Sequence, residues 1–576
     1  MNDTLDPGRR LLLRAAALGG AGLGLGSLFP AWARNGTHGH EAAAGSETLS
    51  GEEIRLTVDR GAFSTAGRSG HAVTLNGTIP GPLLRLREGQ RARIVVDNRL
   101  DEDTSIHWHG LIVPFEMDGV PGVSFPGIKA RSTFTYDFPV KQSGTYWYHS
   151  HSGHQEQLGH YGPLVIDPAG PGPATHDGEH VIVLSDWTFL HPHVLMQRLK
   201  QEAGFFNRRR QTVLRRLAGK DRMAPGDATM FAKMRMEPTD ILDVTGAAYT
   251  YLVNGYDPAE NWTGLFKPGE RVRLRIINAA AMTIFNIRIP GLKMEVVASD
   301  GQHVRPVTVD ELQIGNAETY DVIVTPDDAA YSFVAEAMDR SGMGVATLAP
   351  RQGMSAAVPP LRERPLLGMK DMGMGGMDHG AHGGGATMDH SNMDMRDESK
   401  VPFEVGVGVD MIAPNSVDRT GDPGLGLEDV GHRVLTYRDL VSAVPNPDTR
   451  PHGRTVEVHL TGNMERFMWS IDGKKLSEAP EPIRFARDER VRVTMINHTM
   501  MTHPMHLHGH FFEVVNGHEG NHPVKHTVMV LPGAKLSFDL TADAPGDWAF
   551  HCHLMLHMHA GMMRVVTVRP LDGAAA

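Results

Sequence analysis

Short runs rich in β-branched and aromatic residues set the apolar pattern of the chain, among them 91–96, 132–138 and 181–184, with Gly, Pro and Asp turns between them. Runs of this length and punctuation predict strands, and their density predicts all-β sandwiches or Greek-key barrels. Helical signals are few. The clearest lies within 193–236, around Arg208-Arg-Arg and Leu214-Arg-Arg-Leu217, and reads as an insertion early in a second domain. From about 350 to 400 the composition turns to Gly, Met, His and Asp with almost no aromatic residue. Such a stretch has little with which to bury a core, so 351–400 is expected to be a mobile linker.

The pattern also repeats. Glu88-Gly-Gln-Arg-Ala-Arg-Ile-Val-Val-Asp-Asn98, Pro268-Gly-Glu-Arg-Val-Arg-Leu-Arg-Ile-Ile-Asn278 and Arg487-Asp-Glu-Arg-Val-Arg-Val-Thr-Met-Ile-Asn497 are each a turn followed by a strand that ends in Asn. Upstream of them stand Leu75-Asn-Gly, Val253-Asn-Gly and the looser Ile471-Asp-Gly, and the first and last copies share Gly144-Thr-Tyr-Trp-Tyr and Gly546-Asp-Trp-Ala-Phe. Three related domains in tandem follow, expected over 50–170, 176–350 and 401–576.

With 576 residues, 41% of them hydrophobic, the chain can build several cores. A net charge of −11 leaves no broad basic surface for nucleic acid. The 32 His and 31 Met against a single Cys direct attention to metal chemistry. Residues 1–33 carry Arg9 and Arg10, an apolar stretch rich in Gly and Ala, and Ala31-Trp32-Ala33, which reads as a twin-arginine export signal with a small-x-small cleavage site rather than a membrane anchor. No later segment is expected to span a bilayer, and the expected compartment is the periplasm. A lone cysteine there cannot form an internal disulfide, so Cys552 is either an inert core thiol or a ligand.

His-x-His pairs occur only in the first and third copies: His107-Trp-His109, His149-Ser-His151, His506-Leu-His508 and His551-Cys-His553; the second copy has Asn286 and Arg288 near the corresponding place. On a strand, i and i+2 face one way, so each pair presents two imidazoles to one side, and eight could converge between the two domains. The same period turns Cys552 to the opposite face, toward a different centre. A blue-copper site needs two His, a Cys and a weak axial Met. His503, His557 and Met562 supply the remainder of that set.

At this point the chain resembles the multicopper oxidases, and within them the bacterial copper-resistance protein A type. His-Trp-His-Gly, His-x-His, His-Pro-x-His-x-His and His-Cys-His-x3-His-x4-Met are all present, and the likeness extends to Tyr249-Thr-Tyr-Leu-Val-Asn-Gly255 and Ala317-Glu-Thr-Tyr-Asp-Val-Ile-Val324. The resemblance implies three cupredoxin-like domains and four copper ions. Type 1 copper would take His503, Cys552, His557 and Met562; type 2 copper, His107 and His506; the type 3 pair, His109, His149, His151, His508, His551 and His553. It also implies reduction of O2 to water, with Asp118 resembling an acid that relays protons near the cluster; the alternative for Asp118 is an ordinary Asp-Gly turn. Met555 and Met558 occupy the neighbourhood where some relatives carry a second acid.

The implied reductant is Cu(I), delivered free or by a periplasmic copper carrier. Thioethers favour Cu(I), and Met369, Met372, Met374, Met377, Met388, Met393 and Met395, interleaved with His379, His382 and His390, lie in sequence with no evident core to join; they are expected to capture additional copper. Met223, Met230, Met234 and Met236 form a second group near the helical insertion, where packing as a lid over the type 1 pocket explains them equally well. A laccase oxidising phenols would share every ligand, and a non-enzymatic copper store would use the Met-rich segment alone. A monomer suffices for all three readings.

Overall fold

A computed structural model describes residues 47–374, 394–478 and 480–569. Each of three domains is a pair of sheets packed face to face. In the first, one sheet orders Thr48–Ser50, Leu83–Arg87, Tyr161–Asp167, Gly144–His149 and His107–His109, and the other orders Arg68–Leu75, Glu53–Thr65, Arg91–Asn98 and Thr133–Pro139. The third repeats the plan, with Ile483–Ala486, Met563–Arg569, Gly546–Cys552, His503–Leu507 and Thr527–Val530 as its five-stranded sheet. Strand pairing is mixed: Glu53–Thr65 runs parallel to Arg91–Asn98, and Arg454–Asn463 parallel to Arg490–Asn497.

The repeated residues have specific structural work. Asn98, Asn278 and Asn497 are fully buried, and each side-chain amide donates to main-chain carbonyls of two different segments, as Asn497 does to Met501 at 2.7 Å and Val530 at 3.0 Å. Each thereby pins the end of its strand to a segment about thirty residues further on. Asn76, Asn254 and Asp472 take left-handed backbone at φ 51°, 53° and 52°, each followed by a Gly with positive φ. This is the geometry of a tight hairpin turn, which Asn-Gly and Asp-Gly fit.

The predicted insertion forms three helices, Pro192–Gln201, Val213–Leu217 and Pro225–Met234. Among the described residues no helix is long and apolar enough to cross a membrane.

The expectation that 351–400 is a mobile linker whose methionines lack a core is corrected for its described part. Arg362 pairs with Glu311 and Glu336 at 2.6 Å, and Arg364 with Asp221 at 2.7 Å. A turn over Met369–Met372 carries the buried Asp371 against Arg419. Met372, Met374 and Met395 are buried in the largest core, with Met369 packed at its edge. Low aromatic content hid this, because the apolar partners come from other segments. Met377, Met388, Met393, His379, His382 and His390 lie outside the described residues.

Domains are joined by buried charge. Lys525 of the third is fully buried between Asp300 and Glu318 of the second, 3.1 Å from each, and donates to Ser299 at 2.7 Å.

Candidate metal centres

Register brings the histidine pairs together. His107 lies opposite His149, and His506 opposite His551; directly opposed residues of an antiparallel pair project to the same face. The two domains then interleave their rings: His107 stacks on His508 at 3.9 Å and His109 on His506 at 3.8 Å, while His151 approaches His551 and His149 approaches His553 at 5.1 Å. All eight predicted imidazoles form one cluster, and seven of them are buried, His151 being partly so.

The hydrogen bonds fix which nitrogen of most rings faces inward. His107 Nδ1 donates to the Asp118 carbonyl at 2.7 Å, His506 Nδ1 to the His526 carbonyl at 2.8 Å, and His551 Nδ1 to the Cys552 carbonyl at 3.0 Å. His149 Nδ1 donates to the Ser150 carbonyl at 3.1 Å, with Glu156 Oε2 2.8 Å away, and His508 Nδ1 donates to Asp118 Oδ2 at 2.9 Å. Those acceptors require N–H on the outer nitrogen, which leaves a lone pair on the inner one. Nε2 of His107, His149, His151 and His506, and Nδ1 of His109, are buried with no hydrogen-bond partner. Nε2 of His508 and of His551 face each other at 3.1 Å. Burial and mutual repulsion hold His109, His149, His151, His506, His508 and His553 well below the usual imidazole range, and burial takes His551 down to about 4. A closed space lined by neutral lone pairs has no internal partner and fits cations.

Cys552 points away from this cluster. Its Sγ lies 3.5 Å from His503 Nδ1 and 3.8 Å from His557 Nδ1, and the two nitrogens are 3.2 Å apart. His557 Nε2 donates to Asp243 Oδ2 at 2.7 Å, and His503 Nε2 to the Thr499 hydroxyl at 2.7 Å, so both Nδ1 lone pairs face the sulfur. Met562 is fully buried; its carbonyl accepts from Cys552 N at 3.1 Å and its N–H donates to the His557 carbonyl at 3.0 Å. Trp469 stacks on His557 at 3.9 Å. Burial raises the free thiol far above its ordinary range, whereas coordination to a metal removes the proton outright. The donor set suits copper.

Asp118 lies in the Asp-Gly turn that follows His109, beside the cluster. Its Asp-Gly turn is compulsory, because a Cβ on Gly119 would meet the Ile106 carbonyl at 1.9 Å, and the turn delivers a buried carboxylate to the cluster with Oδ1 unpartnered. Sequence reasoning missed Glu156, whose carboxylate lies 2.8 Å from His149 Nδ1 and whose carboxyl is raised by burial; its one signal was its position five residues after His151. It also missed Asp243, which reaches His557 across 314 residues, and His526, a ninth ring 4.8 Å from His109. No local pattern marks these last two.

Three tandem β-sandwiches with a thiolate-bearing site and a histidine cluster between the outer domains define a metal-dependent redox enzyme. Family profiles described as multicopper oxidase match residues 57–170, 178–358 and 448–572. The chain is 48% identical to Copper resistance protein A of Escherichia coli over 98% of its own length and 99% of that protein's. Against the Copper resistance protein A homolog of Pseudomonas syringae pv. tomato it is 49% identical, covering 90% and 93%. Among solved structures, the laccase of Botrytis aclada shares the fold at a TM-score of 0.61 and 22% identity, over 92% of this chain and 89% of that one. The chain belongs to the multicopper oxidase family. It is a copper-dependent oxidoreductase that couples oxidation of a reductant to reduction of O2.

Proposed function

We propose that the protein oxidises Cu(I), within the copper resistance for which its relatives are named. The observation that carries this is a groove of about 390 Å³ lined by Met234, Met236, Met464 and Met500 together with acidic residues that include Asp240 and Asp410, and by Arg210 and Arg235. Thioethers select Cu(I), and negative carboxylates raise the local concentration of any cation. Asp240 lies three residues before Asp243, the partner of His557, and Met500 follows Thr499, the partner of His503.

His503, Cys552, His557 and Met562 would hold type 1 copper; His107 and His506 type 2; and His109, His149, His151, His508, His551 and His553 the type 3 pair. Bound copper supplies one-electron redox chemistry and the four-electron reduction of O2 to water. The polypeptide orients the rings through Asp118, Glu156, Asp243 and Thr499. Cys552 is peptide-bonded to His551 and His553, which gives the shortest covalent link between the two centres. Asp118 and Glu156 are the buried acids beside the cluster able to hold a proton and hand it on. Residues 1–33, outside the described residues, would direct export to the periplasm by the twin-arginine route.

The test is O2 uptake by copper-loaded protein with Cu(I) as sole reductant, compared with a phenol in the absence of added copper. Replacing Met464 and Met500 together by Leu is expected to lower kcat/KM for Cu(I) and leave phenol turnover unchanged. Equal loss for both reductants, or no uptake with Cu(I), overturns the cuprous assignment.

A further inference from the structure

Four imidazoles outside both centres meet on the surface where the three domains join. His154 follows the first domain's His149-Ser-His151 by three residues. His191 and His193 flank the start of the helix Pro192–Gln201 in the second domain, and His559 lies on the short helix Met555–Ala560 of the third, two residues after His557. Ring centroids are 4.3 Å apart for His154 and His559, 4.8 Å for His154 and His193, and 5.1 Å for His191 and His193. These spacings match the 5.1 Å between His503 and His557.

Chance surface histidines need not converge from three domains. His154 is half-buried, and its Nε2 is buried with no hydrogen-bond partner, an unmet group for which a ligand is the natural explanation. Burial and repulsion from the other rings take His154 down to about 3, so it offers a lone pair at any physiological pH. His193 and His559 are exposed, so their rings can reorient on binding an ion, His559 giving up its hydrogen bond to the Gly153 main chain. His191 is the least available, because its Nδ1 accepts from the His193 main-chain N–H at 3.3 Å. A groove of about 490 Å³ bordered by His154, His191 and His193 opens the site to solvent.

We propose that His154, His193 and His559 bind one Cu(II) ion at this three-domain junction. The donors are imidazoles with no thiolate or thioether, which suits Cu(II) over Cu(I), and among divalent first-row ions Cu(II) binds such a set most tightly. The ion's identity as the product of the enzyme rests on the cuprous assignment above; the existence of the site does not. A product ion held here sits against the helix that carries His557 and ties it to the other two domains.

The experiment is titration of copper-loaded protein with Cu(II), read by equilibrium dialysis and electron paramagnetic resonance, in wild type, His193→Ala and His559→Ala. Wild type is expected to take up an additional ion with nitrogen hyperfine structure. Each variant should bind that ion at least about 10–100-fold more weakly, the loss typical even of an outer-shell partner. His193→Ala should retain the blue absorbance and O2 uptake with Cu(I), which separates this site from the cuprous assignment. An unchanged affinity and spectrum in His193→Ala, or no additional ion in wild type, overturns the proposal.

Discussion

Replacing Asp118 by Asn separates a positioning role from a proton-relay role. The carboxylate accepts from His508 Nδ1 at 2.9 Å while the same residue's carbonyl accepts from His107 Nδ1 at 2.7 Å. Asn keeps the shape, the carbonyl contact and one acceptor, and removes the charge and the capacity to take up and pass on a proton. A hydrogen bond to a charged group is worth about 1.5–3 kcal/mol against about 0.5–1.5 for a neutral one. The lost orientation is therefore about 1–2 kcal/mol, or about 5–30-fold in rate. General acid–base catalysis contributes about 10²–10⁴-fold. Stopped-flow spectroscopy resolves the halves of the cycle: anaerobic bleaching of the blue absorbance by reductant should be unchanged, and its recovery with O2 should slow by about 100-fold or more if Asp118 relays protons. Slowing of about 5–30-fold with full copper content leaves Asp118 a positioning residue only. Recovery within about fivefold of wild type refutes both roles.

Cys552→Ser is expected to abolish the blue absorbance and O2 uptake with every one-electron donor while the fold persists by circular dichroism. Lys525→Met leaves Asp300 and Glu318 buried without their counter-ion, a cost of about 3–5 kcal/mol; scanning calorimetry should show a transition lowered by about 6–20 °C. In the methionine groove, burial and the neighbouring Asp243 raise Asp240 to about 7, and burial raises Asp410 to about 6. Their negative charges exist above those values and are lost below them, so KM for Cu(I) should rise as pH falls from 8 to 5, with KM for an uncharged phenol flat. Met372→Ala should cost about 2–5 kcal/mol as a core truncation without reducing copper uptake, and reduced uptake at full stability would return Met372 to the copper-binding reading.

Legibility in the sequence followed the range of the interaction. The histidine pairs and Cys552 were readable because a strand's period of two is local, and the assignment of Cys552 to a separate face needed only that period. The three strand-end Asn residues were visible as a repeat, while their purpose, bonding carbonyls some thirty residues on, required the fold. Composition misled at Met372 and Met374, because whether a methionine finds a core depends on partners distant in the chain. Asp243, His526 and the junction of His154, His193 and His559 had no periodic or motif signal, since each becomes functional only when separate domains meet.

The second domain sharpens that point. At the positions matching His107 and His109 it carries Asn286, bonded to Gln313 at 2.9 Å, and Arg288, paired with Glu336 at 2.9 Å, so its own sheet is closed by internal polar contacts and holds no metal donors. It nevertheless supports both centres from outside. Asp243 fixes the tautomer of His557, and Asp300 accepts the main-chain N–H groups of His526 and Thr527 at 3.2 and 3.1 Å. Thr527 in turn meets His109 Nε2 at 3.1 Å, and the His526 carbonyl holds His506 at 2.8 Å. Partners of this kind commonly change metal affinity or activity by about 10–100-fold. A domain that gives no ligand to either centre therefore sets the orientation of ligands in both neighbours, which is a physical reason for three domains where two could supply every donor atom of those two centres.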